Sequence, residues 1–289
     1  MDKTAQNKGT QSTDATEVEV PKEENIFDLM KIVFYGLAFA FVLRVLAFEP
    51  FVIPSESMLP TLATGDYIII SKSSYGYSKH SLPFVSVDLF DGRIMESPVE
   101  RGDVAVFKLP RDNSSDYIKR IIGLPGDKVQ MINGVLFING QAVKKVRVDD
   151  FVIKETPNTN CNRFPMYRVT LDAETTACSY PQYRETLPNG RSYMTLDLLP
   201  AGNNDTTRVF TVPAGHYFGM GDNRDNSTDS RYPVARGVGF IPAENLVGRA
   251  SVIFWSTDGA SSWLLPWTWF SAMRGDRVFN SLSPAGSAD

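Results

Sequence analysis

The chain has 289 residues, 43% hydrophobic and 21% charged, with a net charge of −4, which suits one large domain or one domain with a sizeable insertion. No basic stripe is present that would neutralise phosphates, so nucleic-acid binding is excluded. Only two histidines occur, His80 and His216, which rules out a His-rich metal site; neither lies in a recognisable context for a Ser-His-Asp triad.

Residues 1–24 are polar and poor in aromatics, and read as a disordered tail. An apolar run follows from Ile32 to Leu43, then Arg44 and Val45 to Phe48. About 17 residues at 1.5 Å each cover about 25 Å, the lower limit for a crossing helix. Arg44 lies near one end, where its head can reach the interface, and Lys31 at the other favours a cytoplasmic N-terminus. A buried core helix or a cleaved signal peptide compete with this reading. The small-x-small stretch Ala38-Phe39-Ala40 falls in mid-run, against cleavage. A single transmembrane anchor over 25–48 is the expectation.

From Phe51 onward short β segments alternate with turns, helped by 18 prolines and 21 glycines. Residues 67–72, 104–109 and 117–122 are rich in β-branched and aromatic types. The run 129–138 reads as a hairpin turning at Asn133-Gly134, a pair suited to the positive φ angles of a type I′ turn. Later strands are expected at 209–212, 217–219 and 250–254. Residues 140–207 differ in texture and read as an inserted smaller β-subdomain between core segments 49–139 and 208–275. Cys161 and Cys178 lie within it. Free thiols are one possibility; a bridge closing about 17 residues would add roughly 3 kcal/mol, and requires an oxidising compartment. The segment from Phe254 to Phe270 holds all four tryptophans, either as a membrane-interface cluster or as an aromatic core. Residues 276–289 read as a flexible tail. The fold class expected is mostly β, with one N-terminal transmembrane helix.

Directly after the apolar run stands Pro54-Ser55-Glu56-Ser57-Met58-Leu59-Pro60. Alone it would be a proline-bounded turn. Downstream come Gly65-Asp66-Tyr67, Arg101-Gly102-Asp103-Val104, Tyr117-Ile118-Lys119-Arg120-Ile121-Ile122-Gly123-Leu124-Pro125-Gly126-Asp127, and Gly221-Asp222-Asn223-Arg224-Asp225-Asn226-Ser227-Thr228-Asp229-Ser230-Arg231. In this set and order the five blocks resemble the sequence boxes of bacterial type I signal peptidases, or leader peptidases.

That resemblance implies a membrane-tethered serine endopeptidase in which Ser57 is the nucleophile and Lys119 the general base. Ser55 would complete an oxyanion hole with the Ser57 N–H. Ser227 and Tyr117 would orient the lysine, Asp229 and Arg231 would form a structural pair, and Phe51, Ile53 and Ile118 would line substrate pockets. Some family members carry Gly where this chain has Glu56, which is left without a role. The implied substrates are preprotein signal peptides, cut at the outer face of the cytoplasmic membrane, with the bilayer and a nearby secretion translocon as partners. No metal and no cofactor are implied.

The residues support this chemistry independently. A serine hydroxyl needs a neighbouring base. A lysine at its ordinary pKa of about 10.4 would be protonated near neutral pH, but burial can lower that value by several units. Lys119 sits among Tyr117, Ile118, Ile121 and Ile122, and Arg120 should face the other side of the strand. A carboxylate as triad acid would keep the lysine charged, which argues against Asp229 in that role. Asp222, Asp225 and Asp229 could chelate, yet nothing in serine–lysine chemistry needs an ion. Phe48 to Ser57 spans at most about 30 Å, which would hold the nucleophile at the membrane surface. A self-cleaving Ser-Lys protease of the SOS-repressor type would carry a DNA-binding motif or be soluble. A non-catalytic membrane-tethered adaptor would have lost Ser57 or Lys119.

Overall fold

Ile26–Leu46 forms helix α1, in which Leu and Phe are frequent and Pro50, which cannot extend a helix, lies just beyond. In the computed structural model the described residues are 26–46, 48–81, 92–202, 204–262 and 264–286, with side chains omitted at 43–46 and 81. The tail expected over 1–24 lies outside them, as does Trp263. α1 is apolar on every face, and its large apolar side chains from Ile26 to Val42 are exposed. Among the described residues no helix is long and apolar enough to cross a membrane; α1 carries Asp28 paired with Lys31 at 3.0 Å. The chain divides between Phe41 and Val42 into two compact units.

The second unit is mostly β, as expected. Its strands are β1 (Phe48–Val52), β2 (Asp66–Ser71), β3 (Val104–Lys108), β4 (Asp116–Gly123), β5 (Lys128–Ile132), β6 (Val135–Ile138) and β7 (Gln141–Ala142). Then come β8 (Lys144–Arg147), β9 (Phe151–Lys154), β10 (Arg168–Thr170), β11 (Thr176–Tyr180), β12 (Gln182–Thr186) and β13 (Ser192–Leu196). The last are β14 (Phe210–Thr211), β15 (His216–Met220), β16 (Ile241–Pro242) and β17 (Leu246–Ser256). A seven-stranded sheet runs β1-β2-β17-β3-β4-β15-β16, and a four-stranded sheet runs β14-β5-β6-β7. β1 occupies an edge, where Pro50 costs no ladder bond. The β5–β6 hairpin turns at Asn133 and Gly134, with φ of +49° and +75°.

Two three-stranded sheets, β10-β11-β9 and β13-β12-β8, fill the stretch read as an insertion. Cys161 and Cys178 are bonded to each other and both are fully buried. They pack with Phe164, Tyr180, Leu196 and Leu198 against Leu59 and Ala63, so this stretch is built onto the loop that carries Ser57. Trp267 and Trp269 are 69% and 40% exposed, which removes the aromatic-core alternative for those two.

Three of the Gly-Asp pairs share one construction. Gly65, Gly102 and Gly126 take φ of +87°, +100° and +88°, a region open to glycine. The following Asp66, Asp103 and Asp127 each donate their N–H to the carbonyl three residues back. Each carboxylate also accepts the N–H of that same residue, at 2.8, 3.1 and 2.6 Å. Each then takes an arginine: Arg277 and Arg274 on Asp66, Arg191 on Asp103, Arg101 on Asp127. The short motifs are therefore turn clamps with buried counter-ions.

Candidate active site

Ser57 lies in the loop between β1 and β2, half-buried, and Lys119 on β4 is 3% exposed. The Lys119 Nζ donates to Ser57 Oγ at 2.9 Å and to the Ile118 carbonyl at 2.7 Å. Burial pulls the lysine pKa down to about 8, while the charges of Asp229 and Asp222 resist and that of Arg231 assists. Two carboxylates act on the amine, and desolvation outweighs them. Ser55 Oγ is exposed and 3.4 Å from Ser57 Oγ.

β4 separates its side chains as a pleated strand must. The Tyr117 ring centroid lies 5.7 Å from the Lys119 amine. Arg120 is fully buried and grips Asp222 through Nε at 2.8 Å and Nη2 at 2.6 Å. Ile118 joins Phe51, Ile53 and Met58 in one apolar cluster, which brings the three expected pocket residues together beside the nucleophile loop. Phe51 also borders a groove of about 660 Å³ lined with Tyr67, Phe254, Trp255 and Trp269.

The segment from Gly221 to Arg231 packs beneath Ser57. Asn223 N–H donates to the Ser57 carbonyl at 3.2 Å, and the Asn223 amide to the Glu56 carbonyl at 3.2 Å. A Cβ at Gly221 would come within 2.2 Å of Ser227 Oγ and 2.5 Å of the Ser57 carbonyl, so this approach needs glycine. Asp229 and Arg231 are paired through two contacts of 2.9 Å, and Asp229 also accepts the Gly221 N–H. Ser227 is where expected but does not bond the amine. Its Oγ is buried without a hydrogen-bond partner, and the amine's second partner is the Ile118 carbonyl instead. Asp222, Asp225 and Asp229 do not converge: they serve Arg120, the Leu198 and Leu199 N–H groups, and Arg231 respectively.

Sequence reasoning missed what steadies this segment from the insertion. Glu185 of β12 pairs with Arg224 at 2.6 Å and takes the Tyr193 hydroxyl at 2.8 Å. Leu196 N–H donates to the Asp222 carbonyl at 2.9 Å. A lone Glu in a strand gives no signal of such a partner 39 residues away.

A mostly β body that sets a serine hydroxyl against a buried lysine amine defines a serine hydrolase of the serine–lysine class. The family model described as signal peptidase, peptidase S26, matches residues 26–255. Signal peptidase I of Rickettsia typhi is 38% identical over 86% of this chain and 90% of its own length. The protein of the same name from Rickettsia prowazekii is 37% identical with the same coverage. A solved structure of a signal peptidase I from Enterococcus faecalis V583 is 25% identical, covering 53% of this chain and 97% of that one, with a TM-score of 0.28. The chain belongs to the signal peptidase family of serine endopeptidases.

Proposed function

We propose that the enzyme removes N-terminal signal peptides from exported preproteins at the outer face of the cytoplasmic membrane, through a Ser57–Lys119 dyad and an acyl-enzyme. The observation that carries this is the 2.9 Å contact between Ser57 Oγ and a buried lysine whose pKa has fallen to about 8. In its neutral form Lys119 takes the Ser57 proton as Oγ attacks the scissile carbonyl carbon. The oxyanion that forms accepts from the Ser55 hydroxyl and the Ser57 N–H. The C–N bond then breaks, and the leaving amine takes the proton from Lys119. Water then attacks the ester carbonyl carbon, giving a proton to Lys119; the C–Oγ bond breaks, Ser57 Oγ takes that proton back, and the acid product leaves.

Ser227 and Tyr117 orient the amine in this reading. A buried hydroxyl without a partner costs about 1–3 kcal/mol, which speaks for a use in the reaction cycle. Asp229 and Arg231 fix the turn that presents Ser227. Phe51, Ile53 and Ile118 form pockets for the small residues before the cut, and an extended substrate pairs with a strand edge. α1 would serve as the single-pass anchor, supported by its exposed large apolar side chains from Ile26 to Val42, since so much apolar surface needs cover. The secretion translocon stands nearby as the source of substrate, and no cofactor takes part. Residues 49–139 and 208–275 would form the catalytic core, with 140–207 inserted.

The test is cleavage of a labelled preprotein by detergent-solubilised protein. Ser57→Ala and Lys119→Ala should each abolish processing while circular dichroism stays unchanged, because nucleophile and base act as a unit. Full activity in either folded variant would overturn the dyad.

A further inference from the structure

Glu56 stands between the two serines of the site. Its side chain is half-buried, an expensive place for a carboxyl unless it is bonded. Two separate parts of the fold meet it. The Asn226 amide donates to Oε2 at 3.3 Å, and the Asn160 backbone N–H and the Arg163 guanidinium both act on the carboxyl to favour its charged form. Asn226 precedes Ser227 in the segment beneath the nucleophile. Asn160 and Arg163 flank Cys161, whose bridge to Cys178 packs on Leu59. The Glu56 carbonyl is held as well, by the Asn223 amide at 3.2 Å and the Leu59 N–H at 3.1 Å.

We propose that Glu56 is a positioning residue: its carboxyl ties the nucleophile loop to Asn226 on one side and faces the disulfide-closed loop of Asn160 and Arg163 on the other, and so sets Ser57 Oγ against Lys119. It touches neither amine nor substrate in this role. Burial raises its pKa, against the influence of the Asn160 N–H and the charge of Arg163. Glutamine keeps the shape and one acceptor oxygen, whereas alanine keeps neither.

The inference rests on the catalytic roles given to Ser57 and Lys119, so its test has one arm that needs no activity. In the full chain in detergent, amide hydrogen exchange is followed at Leu59 and Asn223, whose N–H groups bond the Glu56 and Ser57 carbonyls. Glu56→Ala should speed exchange at both roughly tenfold relative to wild type at an unchanged unfolding midpoint, and Glu56→Gln should return most of the protection. In the preprotein assay, Glu56→Ala should lower kcat about tenfold with KM within twofold, since a small displacement of a reacting group is costly, and Glu56→Gln should recover most of it. Asn226→Ala should behave like Glu56→Ala, and the double variant should lose no more than the worse single, because partners in one interaction are not additive. Unchanged exchange in Glu56→Ala, equal loss in Glu56→Gln, or additive losses in the double variant would overturn the role. A wild-type chain that fails to cut preproteins would sink the proposed substrate instead, and the exchange arm would still decide the question of Glu56.

Discussion

At the scale of single residues, the lysine carries the most quantitative expectation. Its neutral form is the competent one, so kcat/KM should fall as acid protonates it, with a limb near pH 8 set by Lys119. A pH–rate profile checks this; a limb near the ordinary lysine value of about 10.4 in an enzyme active at neutral pH would contradict it. The same shift bears on stability. The folded pKa lies below the unfolded one, so folding carries a penalty that is full below about pH 8 and gone above the free value of about 10.5. Lys119→Met should therefore be inactive yet more stable at pH 7, by up to about 3 kcal/mol. The gain should vanish in denaturant titrations at high pH. Ser55 is exposed and close to Ser57 Oγ; Ser55→Ala should lower kcat by roughly 10²–10³ with KM little changed, as for one lost oxyanion donor. A change in KM alone would make Ser55 a binding or turn residue.

At the scale of elements, the Gly-Asp turns explain why the sequence boxes lie where they do. Asp66, Asp103 and Asp127 each close a turn and receive an arginine from another segment, so these boxes fasten strands. Asp66 is the most loaded, holding Arg274, Arg277, the Ser256 hydroxyl at 2.7 Å and the Ala63 N–H. It joins the loop after the nucleophile to the end of β17. Asp66→Asn leaves two arginines short of their counter-ion and should cost about 3 kcal/mol, since breaking a buried pair is strongly destabilising. Chemical denaturation would read the loss. A midpoint unchanged from wild type would mean the arginines find other partners.

At the scale of the whole molecule, the two units have different tasks. In the proposed function the β-unit would carry the reaction machinery, and α1 would restrict where it works. Removing residues 1–46 should release the protein from the membrane fraction. Hydrolysis of a short soluble peptide should persist, while processing of membrane-inserted preprotein falls, because tethering raises effective concentration. Retention of the truncated protein on membranes would shift the anchoring to the exposed tryptophans at Trp267 and Trp269.

Local pattern in the chain determined a good deal. Runs of β-branched and aromatic residues and turn residues place β2, β3, β4 and the Asn133-Gly134 hairpin nearly to the residue, because those signals depend on neighbours alone. The order of the boxes pointed to Ser57 and Lys119, which the fold brings into contact, and to the Asp229–Arg231 pair, since each motif lies in a few adjacent positions. Tertiary structure decided the rest. Whether Cys161 meets Cys178, and that Glu185 reaches Arg224, depends on how distant strands pair, and no local signal records that. The amine's partners follow the same reasoning: Ser227 is close in motif, yet the Ile118 carbonyl holds the second bond. The depth of Lys119 and the pull of Asp222 and Asp229 on it are sums over surrounding segments, so the sequence could give the direction of its pKa shift, and only the packed body gives its size.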